Sequence, residues 1–155
     1  MKKMISTFVV ITVALFLPLL VGCATSKISP AKTSLDFPGI LKTPVEISGS
    51  GFKPNETVVV DLVLPAGVEI PGVEKGENVG LAFATADEKG DFSTKVDASA
   101  KLNFLFRVKW TPMMKPDFKT LNPIPPGTYN IKVTGMESGK SKTVPWEILP
   151  APKKK

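Results

Sequence analysis

No histidine occurs among the 155 residues, and cysteine occurs once, at position 23. The first absence excludes Ser-His-Asp and Cys-His catalysis, together with zinc sites that need an imidazole ligand. A single thiol cannot close a disulfide within the chain, so a folded domain here rests on packing and hydrogen bonds. No amphipathic helical run of useful length is present either. The chain instead carries 15 prolines and 12 glycines at 43% hydrophobic content, too apolar for disorder and too rich in breakers for helices. A turn-rich, all-β domain is expected, and the length has room for one.

The basic residues are spread along the chain apart from a terminal Lys153-Lys154-Lys155 run, and two of them open it. Lys2 and Lys3 precede a stretch from Ile5 to Leu20 that is apolar except for Ser6, Thr7, Thr12 and Pro18, and small Gly22 stands just before Cys23. A basic start, a short apolar run and a small residue at a cut site have the layout of an export signal. A permanent membrane span needs about 20 consecutive apolar residues, and the uninterrupted part here is shorter. Loss of Lys2 and Lys3 with the leader takes 20 basic residues to 18 against 14 acidic ones, and the net charge from +6 to +4. That excess is ordinary for a soluble surface.

Leu20-Val21-Gly22-Cys23 resembles the bacterial lipobox. The resemblance implies that residues 1–22 are a lipoprotein signal peptide and that Cys23, the lipidation site, carries diacylglycerol and palmitate-type acyl chains. At about 0.8 kcal/mol per buried methylene, two or three chains anchor a protein to the lipid bilayer durably. Ala24 is not the aspartate that similar Gram-negative proteins use for inner-membrane retention. The resemblance therefore implies an extracytoplasmic protein at the outer membrane, or on the outer face of the cell membrane where a cell has only one.

Residues 23–33 are small and polar and include Pro30, which reads as a lipidated tether; 34–149 read as the domain, and 150–155 as a basic tail ending in Lys153-Lys154-Lys155. Within the domain, apolar residues alternate between turn signals: Val45 and Ile47; Val58, Val60, Leu62 and Leu64; Leu81 and Phe83; Phe92 and Val96; Tyr129, Ile131 and Val133; Val144, Trp146 and Ile148. Asp87 to Gly90 has the chemistry of a hairpin turn. Leu102, Phe104, Phe106, Val108 and Trp110 alternate as well, which predicts a central core strand.

Ser48-Gly49-Ser50-Gly51-Phe52-Lys53-Pro54-Asn55-Glu56-Thr57-Val58 resembles the signature of bacterial Ig-like surface modules, in which a glycine-bounded turn leads through a Pro-x-Glu corner into a strand. Thr85-Ala86-Asp87, Gly90-Asp91-Phe92 and Pro126-Gly127-Thr128-Tyr129 follow in the order such modules use. The resemblance spans most of residues 34–149 and implies an immunoglobulin-like antiparallel β-sandwich of about seven strands. Asn55 stands where glycine is common in that pattern.

Few residues point to chemistry. Glu69, Glu74 and Glu77 cluster in one loop, but proximity along the chain does not place two carboxylates across a substrate. Asp87, Glu88 and Asp91 supply three carboxylates where calcium takes six to eight oxygens, so no metal is expected, and no cofactor. Lys101, Arg107 and Lys109 lie at odd positions and the neighbouring rings at even ones, which in a strand separates charge from aromatic and argues against nucleic-acid binding. Thr111 to Pro126 differs: a proline-rich connection carrying Met113, Met114, Phe118, Leu121 and Ile124. Binding residues favour such loops, so Trp110, Met113, Met114 and Phe118 are the candidate ligand-binding patch; the alternative is a loop that covers the core. The expected role is a non-enzymatic binding or spacer module at the cell envelope, with polysaccharide or protein as partner. An accessory domain or carboxylate-dependent enzyme acting on envelope polysaccharide, and a purely structural lipoprotein, are the alternatives.

Overall fold

The computed structural model describes residues 26–74 and 76–152. Cys23, the leader before it and Lys153 to Lys155 lie outside them. Ten strands occur among the described residues: β1 (Lys27–Pro30), β2 (Thr33–Ser34), β3 (Val45–Ser50), β4 (Thr57–Val63), β5 (Asn78–Thr85), β6 (Phe92–Val96), β7 (Lys109–Trp110), β8 (Pro116–Asp117), β9 (Gly127–Gly135) and β10 (Ser141–Leu149). Helical segments are short: α1 (Gly39–Lys42), α2 (Ala98–Ala100) running into a π-helical turn, Lys101–Leu105, and a 3-10 turn, Phe118–Thr120. No described helix is long and apolar enough to cross a membrane.

The strands form a three-stranded sheet, β1-β3-β6, a five-stranded sheet, β2-β10-β9-β4-β5, and the separate hairpin β7-β8. Every pairing is antiparallel except that of β2 with β10. Alternation dictates the burial: Val45 and Ile47, Val58, Val60 and Leu62, Tyr129, Ile131 and Val133, and Trp146 and Ile148 all point inward, and one core draws on both large sheets.

Strand β5 departs from the expected alternation. Val60 pairs with Ala82 and Asp61 with Gly80, so Leu81 is an extra residue in the ladder. One inserted residue reverses the facing of everything beyond it. Leu81 is buried, whereas Phe83 stands 79% exposed.

The expected core strand over 102–110 is not one. Asp97 Oδ1 accepts from the Ala100 N–H at 2.6 Å and caps a helical start, and the chain coils through Leu105. Leu102, Leu105 and Phe106 are buried together, at helical spacing. Lys101, placed outward by strand parity, is buried, and its ammonium donates to the Ile40 and Thr43 carbonyls at 3.0 and 2.8 Å at the end of α1. Burial lowers the Lys101 pKa, against the charge of Asp97, which raises it.

The domain also starts earlier than expected. Residues 27–30, read as tether, form β1 along β3; the strand is too short to carry a visible alternation. The amino-terminal segment is clasped to the last strand. Trp146 Nε1 donates to the Ala31 carbonyl at 2.9 Å, Ser34 Oγ to the Pro150 carbonyl at 3.0 Å, the Leu35 N–H to the Leu149 carbonyl at 3.3 Å, and the Lys142 ammonium to the Ser26 carbonyl.

The register defines two ends. At one, Lys27 pairs with Ser50, Gly49 with Phe92, Thr57 with Thr85, and Ser141 with Thr134. Glu56 closes this end. Its buried carboxylate accepts from the Lys53 N–H at 2.5 Å and from the Ser138 N–H and hydroxyl, both at 2.9 Å, joining the turn before β4 to the turn after β9. Burial pushes the Glu56 pKa up, but these bonds and one from the Glu137 backbone outweigh it and hold the carboxyl below its ordinary value. Gly135 makes room: a Cβ there would lie 2.5 Å from Glu56 Oε1. At the other end are Val45 with Val96, Val63 with Asn78, Gly127 with Ile148, and the connections 64–77 and 97–126.

Candidate functional site

The segment 97–126 divides into a fixed base and a free tip. Leu102, Leu105, Phe106, Val108 and Ile124 are buried in the common core. The Ile124 N–H donates to the Leu105 carbonyl at 2.8 Å and the Asn122 N–H to the Phe106 carbonyl at 2.9 Å. Arg107, at a φ of 48°, spreads its guanidinium over the Asn122 carbonyl (2.8 Å), Asn122 Oδ1 (3.0 Å) and the Pro123 carbonyl (3.1 Å), and reaches the Glu69 carbonyl at 3.4 Å. The Tyr129 hydroxyl then donates to the Pro125 carbonyl at 2.7 Å. Burial raises the Tyr129 pKa, and the charge of Arg107 opposes it.

From this base rises the hairpin β7-β8, with Lys109 opposite Asp117 and Trp110 opposite Pro116. Thr111 organises the turn: its N–H donates to the Lys115 carbonyl and its carbonyl accepts from the Met114 N–H, both at 2.9 Å, while its hydroxyl accepts from the Lys115 N–H at 3.2 Å. Met114 takes the left-handed position at a φ of 57°. The turn is therefore held by its own bonds, and Met113 and Met114 are left 77% and 78% exposed. Trp110 (39% exposed) bonds through Nε1 to Asn103 Oδ1 at 2.5 Å. Phe118 (49% exposed) leans on Phe37 with ring centroids 5.5 Å apart, and Phe37 stacks edgewise on buried Phe106 at 5.4 Å. All four residues expected to form a binding patch thus share one hairpin and its immediate exit. Ile124, from the same apolar connection, covers core instead.

Beside the hairpin lies a cleft of about 780 Å³ between the 64–76 loop and Arg107, Lys109, Thr120 and Asn122. Its size is within the range of small-molecule sites. Glu69 and Glu74 both line it and both are exposed, while the Glu77 carboxylate accepts from the Glu74 N–H at 3.2 Å. No spacing argument reaches this cleft, because it forms only when two connections distant in sequence meet at one end.

The other carboxylate cluster serves its turn. Asp87 Oδ1 accepts from the Lys89 N–H at 2.8 Å and the Asp91 N–H at 2.9 Å. These bonds hold the Asp87 carboxyl below its ordinary pKa. Among the described residues no group of three or more Asp, Glu, Cys or His is arranged to hold a metal ion. Cys23, the expected lipidation site, lies outside the described residues.

No family model matches the chain, and no curated protein matches it. Among solved structures it is similar to a beta-D-glucoside glucohydrolase from Trichoderma reesei, at 12% identity and a TM-score of 0.43, over 81% of this chain and 18% of that one.

Proposed function

We propose that this chain is a lipid-anchored, extracytoplasmic lipoprotein whose Ig-like β-sandwich presents the 109–118 hairpin to a partner at the cell envelope, without catalysing a reaction. The observation that carries the binding role is the contrast within one segment: a base locked by buried side chains and backbone bonds, and a tip whose methionines remain in solvent. A purely structural role leaves those methionines without a use. The sandwich reading is supported by two sheets, antiparallel but for the β2–β10 pair, that share one core, by the Glu56 corner, and by Tyr129 bonding back to Pro125, as the tyrosine corner of such folds does. The cleft favours a second reading, an accessory domain or carboxylate-dependent enzyme acting on envelope polysaccharide, with Glu69 and Glu74 as its acids.

Intact mass spectrometry of protein purified from its native membrane, beside a Cys23→Ser variant, tests the anchor. The expected native form lacks residues 1–22 and carries acyl mass that the variant does not. An unacylated native chain overturns the lipoprotein reading and leaves the hairpin to be explained on a protein with no lipid anchor.

A further inference from the structure

Four of the six exposed large hydrophobic side chains among the described residues, Trp110, Met113, Met114 and Phe118, belong to the hairpin end. They are layered with charge. Met113 and Met114 occupy the apex, Trp110 and Phe118 stand one step behind, and Lys109, Lys115 and Lys119 flank them, exposed and in no ion pair with a described residue. Asp117 is the one carboxylate between Arg107 and Pro126, and its Oδ1 is occupied by the Lys119 N–H at 3.1 Å. The last strand leaves from the same end. Pro152 lies beside Asp36, Gly39 and Thr43, and Lys153, Lys154 and Lys155 follow it directly in the sequence.

We propose that this end docks on the surface of an anionic phospholipid bilayer. The apex is convex, so a protein partner would need a preformed pocket for two adjacent methionines, whereas a fluid acyl boundary receives them without one. Trp110 just behind the apex matches the headgroup level, where amphipathic rings collect, and Phe118 beside it adds apolar surface. Lysine stems run along the apolar layer while their ammonium groups stay with the phosphates. Each cation near an anionic surface strengthens binding about fivefold, and Asp117 is the single carboxylate of the hairpin set against three lysines. The contact itself does not depend on acylation of Cys23, but the posture of the domain rests on that reading. Ser26 and the hairpin are at opposite ends, about 30 Å apart by strand length, and Cys23 precedes Ser26 by three residues, a reach of about 11 Å. A domain anchored through Cys23 and docked through the hairpin therefore lies along the membrane.

The two tryptophans make this measurable. Trp146 is fully buried and Trp110 is not, so lipid quenching reports on Trp110. The full chain is reconstituted in vesicles of phosphatidylglycerol and phosphatidylcholine that contain a spin-labelled lipid. The expected result is a blue-shifted, quenched emission whose quenching disappears in Trp110→Phe. The triple variant Lys109→Glu, Lys115→Glu, Lys119→Glu is expected to weaken docking about a hundredfold or more, and the pair Met113→Glu, Met114→Glu to abolish the quenching, with circular dichroism unchanged in both. Flotation follows the anchor separately. Protein that floats with vesicles while Trp110 remains unquenched overturns the docking and leaves the anchor intact. Quenching that persists in Cys23→Ser upholds docking without the anchor. Shielding of Trp110 by an added envelope protein, and never by lipid, overturns the proposal in favour of a protein partner.

Discussion

The two ends of this domain spend their polar and apolar groups in opposite ways. At the Glu56 end, a charged group is buried and donors from two turns are aimed at it: Lys53 and Ser138 converge on one carboxylate, and Gly135 is kept free of a side chain to admit it. At the hairpin end, apolar groups are held in solvent, and the backbone bonds of Thr111 keep them there. The first arrangement concentrates stability, because a buried carboxylate without its donors is costly. The second adds little stability, because side chains already in water lose nothing when the protein unfolds. The buried charge and the exposed apolar surface are thereby separated along the strand axis.

The sharpest way to break this contrast is Glu56→Ala. It removes hydrogen bonds to a buried charged group, and because Lys53 and Ser138 are exposed and can turn their donors to water, a loss of about 1.5–3 kcal/mol is expected, read from the urea midpoint at unchanged slope. A smaller effect comes from acid. The folded-state pKa of Glu56 is depressed, so its contribution is fully present above the unfolded value of about 4.3 and is lost as pH falls through the folded value below it. Asp87, also depressed, acts in the same direction, and Asp61, raised by burial against Lys132, in the opposite one. The stability difference between the native chain and Glu56→Gln is therefore expected to shrink below about pH 4.3; a constant difference would mean that the charge of Glu56 contributes nothing. The smallest effect belongs to the pair Met113→Ser, Met114→Ser, which should change stability by less than about 0.5 kcal/mol. A large loss there would erase the contrast and make the tip part of the core.

Much of the β architecture was legible because inward and outward residues alternate: Val58, Val60 and Leu62 on β4 and Tyr129, Ile131 and Val133 on β9 are buried as a period of two requires. The turn at Asp87 to Gly90 was legible from its residues, and Gly90 has the positive φ of 81°. Alternation misled where it was a coincidence of composition. Leu102 to Trp110 has period two, but Leu105 is equally buried, and Asp97 before Ala98-Ser99-Ala100 is a helix-start signal that outweighs it. The reversal at Leu81 was beyond reach, since a bulge is set by the neighbouring strand. Of the candidate site, Met113 and Met114 stood out as apolar residues on a proline-rich connection. The cleft did not, because Glu69 and Arg107 meet only once the ends of β4 and β6 have been brought together.

The clasp of Ala31 and Ser34 on Trp146 and Pro150 bears on how the molecule is made. Strand β2 and the last strand, β10, are mutual partners, and β2 joins the five-stranded sheet only through β10. Pairings separated by more than a hundred residues are slow, since the loop must close before the contact rewards it. A chain emerging from its amino end therefore has no strand partner for Thr33 and Ser34 until β10 has followed it out. The clasp is thus the closure of the fold that waits for the whole chain: β3 with β6 and β4 with β5 can pair before it, but the two ends of the domain are joined only when β10 arrives.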